Sequence, residues 1–368
     1  MIGYASPLSQ YLSHKGAIDA AVARVLMGGS YILNEDVAAF ERAFARYCGA
    51  AHAVSVASGT DALTLALMAC GIGQGDEVIT ASHTAIATVA AILAARATPV
   101  LADVDPRYYT LAPDSVEASI TPRTKAILPV HLYGQAADLG AIGKSAARHG
   151  LAVIEDCAQA SGAEWRTRKV GSFGRAGCFS FFPTKNLGAI GDGGMIVTSD
   201  AELAARLRRL RQYGWDDARE PREIGVNSRL DALQAAILAA KLPCLDTDNA
   251  RREAVAARYD AALAGLPLML PQRHGEGRHV FHLYVVACDD RDALRAALAT
   301  SGIQTGIHYE HAVHEQPCYA RACRLSAGGF AATERLTGRI LSLPLYPELA
   351  PADQDRVIAA IRSHYQAP

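Results

Sequence analysis

The sequence predicts an α/β protein with a mostly parallel central sheet covered by helices on both faces. Three observations predict it. From Ala53 onward, short apolar strands alternate with helical segments. The strands read as continuous apolar runs, as in Leu151-Ala-Val-Ile154, which suits strands buried on both faces. Polar residues able to do chemistry, Ser58-Gly-Thr and Asp156, fall just past strand ends, where such sheets bind ligands.

Residues 1 to about 50 start irregularly and turn helical, with Val37, Phe40 and Phe44 on one face. Ala53 to Ala57 is strand-like, and Ser58-Gly-Thr-Asp61 opens a helix whose apolar positions are Leu63, Ala66, Leu67 and Cys70. Glu77 to Thr80 is a strand and Thr84 to Arg96 a helix. Strands follow at Pro99 to Val104, Ala126 to Val130 and Leu151 to Glu155, with a helix over Leu139 to His149. Phe179, Phe181 and Phe182 precede Pro183 and a glycine-rich loop, after which Met195-Ile-Val197 forms a strand. Helices are predicted at Ala201 to Tyr213 and Leu230 to Leu242, the second ended by Pro243. The remainder reads as helix (Ala250 to Leu263), strand (His279 to Ala287), helix (Asp292 to Ser301) and helix (Pro351 to His364). Residues 1–244 are therefore expected to form a large domain, and residues 245–368 a smaller α/β domain.

Composition is that of an ordinary globular protein, with net charge −1 and a fifth of the residues charged. This argues against nucleic acid or a membrane surface as the main partner. The eight cysteines include no Cys-x-x-Cys pair and mostly sit in apolar contexts, so reduced thiols of a cytoplasmic protein are expected. The N-terminus lacks the pattern of a signal peptide. Val78 to Ala95 contains no Asp, Glu, Lys or Arg, yet its Thr80, Ser82, His83, Thr84 and Thr88 divide it into strand end, polar turn and Ala-rich helix. The arginines at 206, 208, 209 and 211 read as a solvated helix face.

Lys185 stands in Cys178-Phe-Ser-Phe-Phe-Pro-Thr-Lys185 before the run Gly191-Asp-Gly-Gly194. A lysine among apolar residues can lose part of its positive charge and become an amine nucleophile; the plainer reading is a solvated loop lysine. Ser58-Gly59-Thr60 closes a strand and opens a helix. That can be a phosphate site, because the helix start offers free N–H groups and a positive dipole end, or a simple cap. Asp156 follows an apolar strand and can hold a ligand N–H, hold a metal, or cap the next helix. An amine, a carboxylate at a strand end and a phosphate cradle are together what pyridoxal 5′-phosphate requires.

With these residues in view, the chain resembles the DegT/StrS-type family of pyridoxal-phosphate-dependent nucleotide-sugar aminotransferases. The marks are Ser58-Gly-Thr-Asp-Ala-Leu63, Glu155-Asp-Cys-Ala-Gln-Ala160, Phe179-Ser-Phe-Phe-Pro-Thr-Lys-Asn-Leu-Gly188, Gly191-Asp-Gly-Gly194, Asn227-Ser-Arg-Leu-Asp231 and Gly306-Ile-His-Tyr309. The resemblance implies the aspartate-aminotransferase type of fold (fold type I). It implies Lys185 as Schiff-base lysine and proton shuttle, and Asp156 as partner of the pyridine nitrogen. Gln159 is expected against the cofactor ring, with Gly59, Thr60 and Ser180 at its phosphate. Asn227 resembles a residue that reaches the phosphate of a neighbouring subunit, implying a homodimer with shared active sites. Arg229, His308 and Tyr309 are expected near the sugar nucleotide. L-glutamate is the donor the family implies, and lysine rather than histidine at 185 favours amino transfer over dehydration.

Two positions depart from the family pattern. Where an aromatic residue often stacks on the ring, two positions after His83, this chain has Ala85, and His83 is expected to stack instead. Glu310 replaces a proline after the Gly-x-His-Tyr motif. The stretch His83 to Thr88 and the Gly306 loop look closest to the subgroup that aminates carbon 3, with carbon 4 the alternative and dTDP and UDP both open. A non-catalytic regulatory protein on the same fold is a further alternative. His308, His311 and His314 could form a metal site on a helix, but Gly306 and Pro317 argue against one regular helix there, so no metal is expected. Gly71-Ile-Gly73-Gln-Gly75 follows a helix and lacks the dinucleotide-binding spacing.

Overall fold

The computed structural model describes residues 1–366. In chain order its strands are β1 (His52–Val56), β2 (Glu77–Ala81), β3 (Thr98–Ala102), β4 (Thr124–Leu128), β5 (Ala152–Asp156), β6 (Glu164–Trp165), β7 (Arg168–Lys169), β8 (Ala176–Ser180), β9 (Gly194–Thr198), β10 (Gly277–Arg278), β11 (Tyr284–Ala287), β12 (Arg324–Leu325) and β13 (Ile340–Leu343). Among the described residues, eight of them form one sheet in the order β1-β9-β8-β5-β4-β2-β3-β12. Neighbours pair parallel except β9, which runs against both β1 and β8. The connection from β8 to β9 carries no helix to return the chain to the far edge, so β9 comes back antiparallel. Both ends of that connection, and Lys185 between them, therefore lie at one edge of the sheet.

At that edge Val56 and Ser180 both pair with Gly194, and Asp156 pairs with Cys178. Asp156 is the last residue of β5, and the carboxyl ends of β1, β2 and β8 lead into the segments holding Ser58, His83 and Lys185. The β8 strand is fixed from the side by aromatic packing. Phe44, on the Glu35–Cys48 helix, meets Phe179 edge-on at 5.0 Å and Phe181 at 5.4 Å, and Phe40 meets Phe181 at 5.5 Å. All four rings are buried, which is the face the helical spacing predicts.

A separate apolar cluster gathers Tyr259, Phe281, Tyr284, Leu294, Leu298, Leu341, Val357 and Ile361 around the antiparallel β11–β13 pair. The N-terminal Ile2 joins it, bonding Gly302 and Gln304 through its backbone. Predicted strand His279 to Ala287 pairs only over Tyr284–Ala287. The preceding residues are drawn toward the Lys185 loop instead: Asn186 donates to the Val280 carbonyl and Val280 donates to Gly134. The Val78 to Ala95 stretch is β2, a turn and the Ile86–Ala94 helix, and no helix among the described residues is long and apolar enough to cross a membrane.

Candidate active site

A cavity of about 230 Å³ opens where these strand ends meet, lined by Ser58, Gly59, Thr60, Thr84, Ala85, Asp156, Gln159, Ser180 and Lys185 among others. The Gly59–Ala69 helix points its start into it. Ser58 caps that helix by accepting from Asp61 N at 3.1 Å, which leaves the Gly59 and Thr60 N–H groups for a ligand. Gly59 has no room for a side chain: a Cβ there would sit 2.6 Å from Cβ of Ser180. Backbone amides and two hydroxyl side chains thereby converge, the arrangement that binds a phosphate group.

Opposite stands Lys185. Burial strips water from its ammonium and pushes its pKa down to about 8, against the opposing pull of the Asp156 charge. Asp156 is buried, and burial raises its carboxyl above the usual range. The Ala158 N–H (3.1 Å), the Thr88 hydroxyl (2.8 Å) and the charge of Lys185 pull it back. Gln159 is held at both ends of its amide. Its Oε1 accepts from Tyr133 N at 2.7 Å, and its Nε2 donates to Tyr309 Oη at 3.0 Å.

His83 is buried, but the structure does not place it in the cavity wall; Ala85 takes that place. Tyr133 Oη donates to the His308 carbonyl, so its contact with His83 Nε2 at 2.8 Å is a bond donated by His83. Burial pushes the imidazole down to about 4, and its Nδ1 has no partner among the described residues. His308 is bonded through Nδ1 to Ser342 (2.9 Å) and borders a second, smaller cavity with Thr184 and His282. Asn227 is exposed, Arg229 is half-buried, and neither lines the main cavity of this chain. Phe182, at the cavity mouth, is 48% exposed, and Ile190 and Ile224 are exposed as well.

The histidines of the 308–314 stretch do not converge. His311 is exposed, while His314 bonds Ser82 at 2.7 Å and stacks on Phe330. A different trio, His131, Glu155 and Cys157, does come together. The lone pairs of His131 and Glu155 are already used. His131 Nδ1 accepts from Ala137 N, so Nε2 carries the hydrogen it donates to Glu155 at 3.0 Å. The Glu155 carboxylate further accepts from Gly171, Phe173 and Gly174 N–H groups at 2.7 to 2.8 Å. This is a structural pin between the end of β5 and the 171–174 turn, not a metal site. Thr88, Tyr133 and Glu155 are the site-shaping residues that sequence reasoning missed; only the polar character of Thr88 within an Ala-rich helix hinted at a role.

Residues 13–362 match the DegT/DnrJ/EryC1/StrS aminotransferase family. The chain belongs to that family. It is 48% identical over 353 residues to the dTDP-3-amino-3,4,6-trideoxy-alpha-D-glucose transaminase of Streptomyces venezuelae, covering 96% of this chain and 93% of the relative. It is also 48% identical over 341 residues to the UDP-N-acetyl-3-dehydro-alpha-D-glucosamine 3-aminotransferase of Acidithiobacillus ferrooxidans, covering 93% and 92%. Among solved structures, S. venezuelae DesV in complex with a ketimine intermediate superposes with a TM-score of 0.97 at 46% identity, covering 100% of this chain and 99% of that one. The Bacillus subtilis protein NtdA, solved with bound cofactor PMP, gives 0.89 at 32% identity, covering 96% and 82%.

As an aminotransferase of this family, the chain uses pyridoxal 5′-phosphate, and its residues fit that group. The free N–H groups at the start of the Gly59–Ala69 helix and the Cβ-free approach at Gly59 suit the phosphate. The depressed Lys185 amine suits the aldehyde, and the Asp156 carboxylate suits a protonated ring nitrogen. A pH dependence follows. Capture of pyridoxal phosphate by the apo-protein needs the neutral amine, so its rate should rise with pH and level off above about 8. Stopped-flow absorbance against pH checks this; a rise continuing toward the ordinary lysine range would contradict the burial argument.

Proposed function

We propose that this aminotransferase moves an amino group from L-glutamate to carbon 3 of a nucleotide-linked keto-sugar, giving an amino sugar for a polysaccharide or a natural product. The observation that carries this reading is the Lys185–Asp156 cavity in a chain nearly half identical to two transaminases whose names both specify carbon 3 of a nucleotide sugar. When bound, pyridoxal phosphate supplies an aldehyde that takes up the amine and a ring that withdraws electrons from the adjacent carbon. The protein's residues do the rest. Gly59, Thr60 and Ser180 hold the phosphate, and Gln159 keeps the ring in place from a fixed amide. Asp156 holds the proton on the ring nitrogen, and Lys185 Nζ carries a proton between the two carbons that exchange it.

Arg229, His308 and Tyr309 are assigned to the sugar-nucleotide side. Asn227 is assigned to the cofactor phosphate of a second copy. Its exposure, and that of Phe182 at the cavity mouth and of Ile190, supports a homodimer whose sites are completed across the interface. The separate apolar cluster around β11 and β13 supports a division of the chain near residue 244.

The test is a panel of dTDP- and UDP-linked 3-keto and 4-keto sugars, with glutamate as donor and 2-oxoglutarate measured as product. Turnover of a 3-keto member should exceed that of its 4-keto counterpart by at least about a hundredfold, since a misplaced reacting carbon costs on that order. Preference for the 4-keto series would overturn the carbon assignment.

A further inference from the structure

We propose that Thr88, with Thr84 behind it, is a positioning residue that holds the Asp156 carboxylate as an oriented acceptor in the cavity wall. The bonding geometry assigns each proton. Asp156 Oδ1 accepts from Ala158 N at 3.1 Å, and Oδ2 lies 2.8 Å from Thr88 Oγ1. An ionised carboxylate only accepts, so the Thr88 hydroxyl donates to it. Thr88 has one hydroxyl hydrogen, and its second contact, to Thr84 Oγ1 at 2.9 Å, must be donated by Thr84. The result is a one-way chain: Thr84 to Thr88 to Asp156. Thr84 and Asp156 both line the cavity, while Thr88 lies wholly buried between them.

The two oxygens of Asp156 are thereby pinned from different elements. One is held by its own downstream backbone. The other is held from the first turn of the Ile86–Ala94 helix, 68 residues away in sequence. Each oxygen keeps a lone pair for a ligand N–H, and the carboxylate cannot turn without breaking both bonds. A buried hydroxyl is costly unless it is bonded, so Thr88 has little freedom to do otherwise. Lys185 also acts on Asp156 by charge, and His131, Tyr309, Cys157 and Cys178 lie near it as neutral groups. None of these changes when Thr88 is substituted, which isolates its contribution.

This inference rests on Asp156 as the partner of the cofactor's ring nitrogen, and the experiment separates the two. The full-length apo-protein is titrated by infrared difference spectroscopy, with the Asp156 carboxylic-acid band assigned by its loss in Asp156→Asn. Pyridoxal phosphate affinity is measured by absorbance. In Thr88→Val the Asp156 titration should move up by about one pH unit and affinity should fall roughly tenfold, the size of a hydrogen bond to a charged group. Thr88→Ser should restore both to within about twofold. Thr88→Ala is a second hydroxyl-free variant should valine fold poorly. An Asp156 titration that does not move in either hydroxyl-free variant would overturn the proposal. A moved titration with unchanged cofactor affinity would uphold the role of Thr88 and sink the reading of Asp156 as the ring partner.

Discussion

A Lys185→Ala variant is expected to lose amino transfer by about four orders of magnitude, the upper range for removing a proton-carrying group, with nucleophilic capture lost as well. It should keep its fold. The Lys185 side chain makes no hydrogen bond among the described residues, whereas its backbone N–H bonds Phe182 and is untouched by the change. The cation is desolvated in the native state, so removing it also relieves a cost. No other lysine can stand in. Lys241 is buried and likewise pushed down to about 8, but its Nζ is committed to Gln10 Oε1 at 2.6 Å and to the Gly188 carbonyl, and it does not line the main cavity. Circular dichroism and steady-state assays on the same preparation check both halves. Turnover within tenfold of the parent would remove Lys185 from the mechanism.

The second large effect concerns stability. Glu155→Ala should destabilise the protein by about 3–5 kcal/mol, the cost of breaking a buried hydrogen-bonded charge. Four donors lose their acceptor at once: His131 Nε2 and the N–H groups of Gly171, Phe173 and Gly174. Glu155→Gln keeps the shape and one acceptor oxygen but turns an NH2 toward donors, so it should fall between the parent and alanine. The acid dependence has a definite sign. Burial raises the Glu155 pKa, but the His131 bond and the backbone N–H groups outweigh it and hold the carboxyl below its usual value. Its contribution is therefore present above the unfolded-state value of about 4.3 and lost as pH falls through the lower folded value. Urea melts at neutral and acidic pH test this. The parent should lose stability toward acid more steeply than Glu155→Ala, and a difference under about 1 kcal/mol at neutral pH would contradict the pin.

The parts of the molecule legible in the sequence are those written in consecutive residues. The inner strands are unbroken apolar runs, and Ser58-Gly-Thr, Asp156 and Lys185 each follow one, so the strand edge carrying the chemistry can be read directly. What could not be read depends on partners far apart in the chain. Thr88 is one hydroxyl in an Ala-rich helix until Asp156 is brought against it. Tyr133 adopts a left-handed backbone (φ 60°) and serves both His83 and Gln159, which no local pattern signals. Residues 279–283 look like strand by their apolar character, but Val280 is pulled off to accept from the Asn186 side chain and donate to the Gly134 carbonyl. The surroundings of His83 were equally hidden: its Nε2 is bonded to Tyr133, 50 residues away, while Ala85 lines the cavity.

The most direct measurement is to reduce the pyridoxal-phosphate-loaded protein with borohydride, digest it and map the labelled peptide. The label should sit on the peptide carrying Lys185 and on no other. Label on the Lys241 peptide, on any further side chain, or on none would show that the amine at the mouth of the β8–β9 loop is not the group that captures the cofactor.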